Sequence, residues 1–266
     1  MLFRSPVSSI VQGRLGLGPE VMCLDISQGC GAFLVGTIQA LMMLDHLAGK
    51  KVVVMAADVL SRRTSPQDRN SYPLIGDGAG IGVVERDPQA GDIHAILYND
   101  GSLGDALQIP AGGSRMPSTP ETAVLRDQDG DGNLRALDHL VMKGADVFTF
   151  VQTRVPPLVE ETLAYAGLGK EDIDWYLFHQ PNRFMLRKLA EKLGIPYEKV
   201  PMNLVEEFGN SSGACIPILA AHNLSRELRE GRFRCCLSAF GSGLTWGAMT
   251  MELGELDFCE NILSDL

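Results

Sequence analysis

The sequence predicts an α/β fold in two similar halves, each with a sheet covered by helices. Three observations lead there. Apolar runs bounded by Gly, Asp or Ser alternate with stretches of helical periodicity, the pattern of sheets with covering helices. A unit of helix, strand, glycine turn and strand occurs twice, early and late in the chain. The 45% hydrophobic content of 266 residues is enough to bury a core of that size.

In chain order, 21–26, 51–57 and 80–84 read as buried strands. Between the first two, 31–47 is rich in Ala, Leu and Met at helical spacing and stops at Gly49. A helix over 153–166 closes at Gly167, a strand follows over 174–178, and a helix over 184–193 closes at Gly194 and Pro196. In the repeat, a helix from near Cys30 leads to a strand from Lys51, to Gly76-Asp77-Gly78, and to a strand ending at Glu85. Its second copy runs from near Gly213 to a strand from Phe233, to Gly241-Ser242-Gly243, and to a strand ending at Glu252. The halves are expected at 1–103 and 104–266. The second has room for a strand, helix, strand and helix before Gly213, whereas 29 residues precede Cys30. The first half is therefore expected to be truncated at its N-terminus, with a bare strand edge and exposed apolar surface. Another chain, or a longer parent chain, would fill that space.

A formal net charge of −10 argues against nucleic acid as the main partner, since phosphate binding needs clustered Lys and Arg. The cysteines (23, 30, 215, 235, 236 and 259) form no Cys-x-x-Cys pair and no His/Cys ligand spacing, so no metal site is expected. Their usage fits a reducing, cytoplasmic setting. No apolar run is long enough to span a membrane, and the N-terminus carries no signal-peptide core.

Three residues stand in settings that suit catalysis. Cys30, in Asp25-Ile26-Ser27-Gln28-Gly29-Cys30-Gly31, lies where a strand turns into a helix, whose N-terminus is expected to lower the thiol pKa. Its ordinary reading is a buried structural thiol. His179 ends an apolar strand, at the sheet edge where α/β sites gather. Asn210 lies in a Gly/Ser turn before a helix, where its ordinary role is an N-cap or turn former. A thiol, an imidazole and an amide together suit thioester chemistry. Gly76-Asp77-Gly78-Ala79-Gly80 lacks the Lys-Ser/Thr of a phosphate loop and leads into a strand, so it reads as close backbone packing near the site. Asp127-Gln128-Asp129-Gly130-Asp131-Gly132 imitates a calcium loop but has Asp138 in the twelfth place, and reads as a solvated acidic loop. Arg183, Arg187, Lys188 and Lys192 read first as a solvated helix face.

Set in order, six signatures resemble those of the ketoacyl-acyl-carrier-protein synthase III family, of the thiolase fold. They are Gly29-Cys30-Gly31-Ala32-Phe33, Asp68-Arg69, Gly76-Asp77-Gly78-Ala79-Gly80, His179-Gln180-Pro181-Asn182, Gly209-Asn210-Ser211, and Phe240-Gly241-Ser242-Gly243-Leu244-Thr245-Trp246-Gly247. The likeness runs over about residues 1–255. It implies a five-layer αβαβα fold, a homodimer, and N-terminal elements beyond those in this sequence. It also implies acyl transfer from acyl-CoA to Cys30, followed by decarboxylative Claisen condensation with malonyl-acyl-carrier protein. His179 and Asn210 would stabilise the enolate, an oxyanion-hole effect. Cys30 with Gly241, Ser242 and Gly243 would form the second oxyanion hole. Arg69, Asn182 and Phe240 would bind substrate, and Arg183, Arg187, Lys188 and Lys192 would dock the acyl carrier protein. An ion pair with Asp68 is the plainer role for Arg69. No metal or organic redox cofactor is implied. The chain departs from the family at Gly29 and Gly31 beside the nucleophile, at Ser242 in place of a glycine, and at Phe184 where an arginine is common. Two rival readings are acyl transfer to an alcohol or amine with His179 as base, and a non-catalytic partner subunit.

Overall fold

Most of the core is built around a sheet formed late in the chain. The computed structural model describes residues 5–46 and 49–264. The first part contains α1 (Val7–Arg14), α2 (Ala32–His46), β1 (Lys51–Asp58), β2 (Gly78–Glu85) and β3 (His94–Asn99). Four two-residue strands follow: β4 (Leu107–Gln108), β5 (Arg126–Asp127), β6 (Leu134–Arg135) and β7 (Val141–Met142). Then come α3 (Gly144–Tyr165), β8 (Trp175–Phe178), α4 (Arg183–Leu193), α5 (Leu204–Phe208), α6 (Cys215–Glu230), β9 (Arg232–Gly241) and β10 (Thr245–Gly254).

The main sheet has the order β3-β10-β9-β8, with β8 parallel to β9 and the other pairs antiparallel. Tyr176, Leu177 and Phe178 of β8 are fully buried because both faces of the sheet are covered, which explains their unbroken apolar run. One face packs on α3 and α4, through residues such as Val151, Val155, Leu186 and Leu189. The other packs on α6, through Ile216, Leu219 and Leu228, with Leu34 of α2 joining the same core. Beyond these helices lies the ribbon β1–β2, antiparallel from Lys51↔Glu85 to Asp58↔Gly78. The order helix, sheet, helix, sheet follows the αβαβα expectation. The repeat is present too, since α2 with β1–β2 has its counterpart in α6 with β9–β10.

Several boundaries differ from the sequence reading. Residues 21–26 pair with no strand among the described residues, and Val21, Met22, Leu24 and Ile26 are exposed. An apolar run becomes a strand only when a neighbour takes its backbone hydrogen bonds, and none does here. The helix expected to reach Leu47 is seen to His46, and Leu47 lies outside the described residues. α3 starts at Gly144 instead of Thr153 because Val147, Phe150 and Val151 extend its buried stripe. β3 precedes position 103 yet is the edge strand of the second sheet, so a division at 103/104 does not separate the sheets. The outward side chains of β1–β2 (Val53, Met55, Ile81 and Val83) are exposed, as expected for the first half.

The two halves meet backbone to backbone. The Gly76 N–H donates to the Asn210 carbonyl at 3.1 Å, and the Asn210 N–H donates to the Leu74 carbonyl at 2.7 Å. Ile75 and Asn210 form a parallel bridge between segments otherwise outside the sheets. A Cβ on Gly76 would overlap the Phe208 carbonyl oxygen, so only glycine allows this approach. The Gly76-Asp77-Gly78 motif therefore serves packing, as its sequence indicated. Gly76→Ala is expected to destabilise the fold by about 1–3 kcal/mol. In urea the midpoint should fall with little change of slope, while Gly101→Ala, with nothing near its Cβ, should leave the midpoint in place.

Candidate active site

A cavity of about 620 Å³ opens at this junction. Cys30, His179 and Asn210, 149 and 31 residues apart in sequence, all line it, as do Asn182, Phe240, Gly241, Ser242 and Gly243. Much of its wall is apolar, with Leu107, Ile109, Leu140, Met142, Val147, Phe148 and Met185.

Cys30 sits in the turn that starts α2, where the Ala32 N–H donates to the Gly29 carbonyl at 2.9 Å. Two other segments close on it. A Cβ on Gly241 would lie 2.7 Å from the Cys30 Cβ and 2.8 Å from its Sγ, so the end of β9 presses directly on the thiol. A Cβ on Gly213 would lie 2.9 Å from the Gly29 carbonyl oxygen, which brings the Asn210 turn onto the Cys30 turn. A Cβ on Gly29 would overlap the Ser242 hydroxyl, so these two departures from the family pattern fit one another in space.

The thiol is not acidified as the sequence suggested. Burial pushes the Cys30 pKa up, and the Asp58 charge pushes it further. The Ser212 side chain and the N–H groups of Ser242 and Cys30 oppose this without cancelling it. Loss of water is the largest of these influences. Cys235 and Cys236, pushed up to about 12 by burial, are inert core thiols.

His179 follows β8, and its N–H donates to the Ser238 carbonyl of β9 at 2.8 Å. Its ring meets Phe240 edge-on, with centroids 5.6 Å apart. Nδ1 is buried without a hydrogen-bond partner among the described residues. A proton there would be a donor without an acceptor, so the tautomer protonated at Nε2 is favoured. Gln180 fixes the turn by donating to the Phe178 and Pro201 carbonyls at 3.0 and 3.1 Å. Asn210 Oδ1 accepts from the Ser212 N–H at 2.9 Å, the turn-forming role expected of it. It also faces the Cys215 thiol at 3.5 Å. With the oxygen engaged, the Asn210 amide N–H groups are the part left for a ligand.

Other expected residues divide. Asn182 lines the cavity and also caps α4, its Oδ1 accepting from the Met185 N–H at 2.8 Å. Arg69 is not among the lining residues; its Nη2 donates to the Asp131 carbonyl at 3.0 Å, on the surface. Nor does it pair with Asp68, because Arg135 takes that carboxylate at 3.2 Å and Asp129 at 2.7 Å. Asp68 also accepts from Ser71, a cavity residue, so the buried ion pair braces one wall. The acidic loop is internally folded: Asp127 accepts from the N–H groups of Gly130 and Gly132. On α4, Arg183 pairs with Glu206, Lys188 with Glu191, Lys192 donates to the Gln152 carbonyl, and Arg187 lies over the Tyr197 ring. Exposed pairs of this kind are weak and leave the cations available to a partner. Phe184 stacks on Phe148, a lining residue, at 5.8 Å. Sequence reasoning missed Asp58 and Ser212, both at the cavity; Asp58, just past the predicted strand 51–57, was the one available signal.

Thiol, imidazole and amide on one apolar cavity are the groups that acyl transfer through a cysteine thioester requires, and they define that class of enzyme. Comparison with known proteins narrows the class. The sequence matches 3-oxoacyl-[acyl-carrier-protein (ACP)] synthase III over residues 24–101 and the C-terminal part of the same family over 163–253. It is 34% identical to beta-ketoacyl-[acyl-carrier-protein] synthase III of Synechocystis sp., covering 90% of this chain and 69% of that protein. Identity is also 34% with beta-ketoacyl-[acyl-carrier-protein] synthase III 3 of Streptomyces coelicolor, covering 93% and 71%. The crystal structure of 3-oxoacyl-(acyl-carrier protein) synthase from Burkholderia xenovorans superposes with a TM-score of 0.88 at 32% identity, over 99% of this chain and 73% of that one. The priming beta-ketosynthase of the R1128 polyketide pathway superposes with a TM-score of 0.75 at 26% identity, over 96% and 72%. The chain belongs to the beta-ketoacyl-[acyl-carrier-protein] synthase III family and is a condensing acyltransferase with the thiolase-type layered fold.

The upward shift at Cys30 has a measurable sign. A raised pKa leaves little thiolate at neutral pH, and the fraction grows as pH approaches the shifted value. Alkylation of Cys30 by iodoacetamide in the free protein, followed by peptide mass mapping, should still be rising at pH 9. A plateau below about pH 8 would mean an acidified thiol, below the ordinary value for cysteine.

Proposed function

We propose that Cys30 accepts an acyl group from acyl-CoA and that the acyl-enzyme then condenses with a malonyl thioester carried on an acyl carrier protein. The convergence of Cys30, His179 and Asn210 on one cavity carries this reading. In the first step the thiolate adds to the acyl carbonyl and expels the CoA thiol. In the second the malonyl thioester loses carbon dioxide. The enolate oxygen takes hydrogen bonds from His179 Nε2 and the Asn210 amide, and donors fixed in advance lower that barrier. The tied Asn210 Oδ1 supports this, since it leaves a donor and not an acceptor for the incoming oxygen. The nucleophilic carbon attacks the acyl group on Cys30. The second oxyanion is held by the N–H groups of Cys30 and of the turn with Gly241, Ser242 and Gly243, and the thiol is released.

The apolar wall suits an acyl chain or the arm that delivers it, and the reading places the chain in fatty-acid or related lipid and polyketide synthesis. Asn182 and Phe240 would contact the substrate inside. Arg69, on the surface beside the acidic loop, would act outside the cavity on the nucleotide end of CoA. Carrier-protein docking on α4 belongs to the same reading, with Arg183, Arg187, Lys188 and Lys192 offered to an acidic partner. So do a homodimer and a cytoplasmic setting, the latter supported by six unpaired thiols. No helix among the described residues is long and apolar enough to cross a membrane.

The protein incubated with a panel of short and medium acyl-CoAs should gain one acyl mass, and Cys30→Ala should gain none. A mass gain that survives in Cys30→Ala, or no gain with any acyl-CoA, would contradict the assignment.

A further inference from the structure

The Asn210 amide can serve the enolate only if its nitrogen end faces the incoming oxygen. The oxygen and nitrogen of a side-chain amide are nearly equal in size, so shape does not choose between the two orientations. Hydrogen bonding has to choose, and buried neighbours supply it. The Ser212 N–H donates to Asn210 Oδ1 at 2.9 Å. The Cys215 thiol donates to the same oxygen at 3.5 Å, a length that suits the larger sulfur atom. Cys215 Sγ in turn accepts from the Ser211 hydroxyl at 3.6 Å. A thiol has one proton, so accepting from Ser211 leaves that proton to point at Asn210. The bonds therefore run one way, from Ser211 to Cys215 to the Asn210 oxygen.

Ser211 and Cys215 are 1% and 0% exposed, so water does not compete for these bonds. Cys215 opens α6, and in the turn before it the Ser211 carbonyl accepts from the Ala214 N–H at 3.1 Å. A Cβ on Gly78 would lie 3.0 Å from the Ser211 Cβ, so the start of β2 packs closely on that serine. Neither Ser211 nor Cys215 is among the residues that line the cavity.

We propose that Cys215, backed by Ser211, is a positioning residue that holds the Asn210 amide with its N–H groups toward the enolate oxygen. The proposal rests on Asn210 being an enolate donor. Turning the amide over would set its nitrogen against both the Ser212 N–H and the Cys215 S–H. Two buried donors would then lose their acceptor, and the incoming oxygen would meet Oδ1 instead of an N–H. Without the thiol only one donor opposes that rotation, and a single bond also lets the amide pivot about its oxygen. The plainer role for Cys215 is to fill space, since it belongs to the core that contains Leu219 and Leu237.

Carbon dioxide release from malonyl-acyl-carrier protein, measured without acyl donor and resolved into kcat and KM, separates the two roles. Cys215→Ala should lower kcat by about tenfold with KM little changed, part of the loss expected when a whole oxyanion donor is removed. Cys215→Ser keeps a donor and an acceptor, and should return to within about threefold of the unmodified protein. In an Asn210→Ala background Cys215→Ala should have no further effect, because the group it positions is gone. Ser211→Ala should slow release in the same sense, and it carries the test where Cys215→Ala does not fold. If Cys215 only fills space, the Ala and Ser variants should be slowed alike, or in step with their urea midpoints. That result, or a Cys215→Ala effect undiminished in the Asn210→Ala background, would overturn the positioning role and leave Asn210 as a donor. Asn210→Ala releasing carbon dioxide at the unmodified rate would overturn the enolate-donor reading and the positioning role with it.

Discussion

The site depends on a contact that contains no side chain. Gly76 and Gly209 bring two backbones so close that a methyl group on either would overlap the other segment. The bridge between Ile75 and Asn210 then fixes the asparagine relative to the first half of the chain. That half carries Cys30, and the second half carries His179 on the parallel neighbour of β9. Cavity, Cys30 thiol and Asn210 amide therefore share one frame, with the pressing of Gly213 on the Cys30 turn as its second fastening. Sub-ångström placement of this kind decides whether a bound thioester meets its donors.

The same closeness determines the chemistry at sulfur. Packing the end of β9 and the Asn210 turn around Cys30 removes water, and lost solvation outweighs the hydrogen bonds offered to the sulfur. The result is a thiol with its pKa pushed above the ordinary value, on a largely apolar cavity. Such a site resists adventitious oxidation and alkylation, which need thiolate. In the proposed reaction His179 and Asn210 have a different task, each offering an N–H donor where negative charge would develop.

Much of this was legible in the sequence, for physical reasons that differ by element. Strand 174–178 was readable because a strand covered on both faces leaves an unbroken apolar run, and the helix after it because Asn182 and Gly194 mark its ends. The glycine motifs were readable because close backbone approach restricts the residue type. Residues 21–26 misled because an apolar run reports burial preference and not the presence of a pairing strand. The start of α3 was missed because tertiary packing of Val147 and Phe150 decided it. The partner of Asp68 was unreadable because Arg135 lies 67 residues away. The direction of the Cys30 shift was missed because sequence shows the helix N-terminus but not the two segments that close on the thiol. Asp58 and Ser212 escaped notice because neither belongs to a spacing pattern; only the fold brings them to the cavity that Cys30 lines.

The central claim is that two separate sets of groups share one cavity: a nucleophile that holds the acyl chain, and a pair of donors that stabilises the enolate. Carbon dioxide release from malonyl-acyl-carrier protein, measured without acyl donor, tests it most directly. If the sets are separate, Cys30→Ala should still release carbon dioxide, while Asn210→Ala and His179→Ala should each lose about a hundredfold or more, the scale of one oxyanion-hole donor. Release that vanishes with Cys30 but survives loss of both donors would contradict the account.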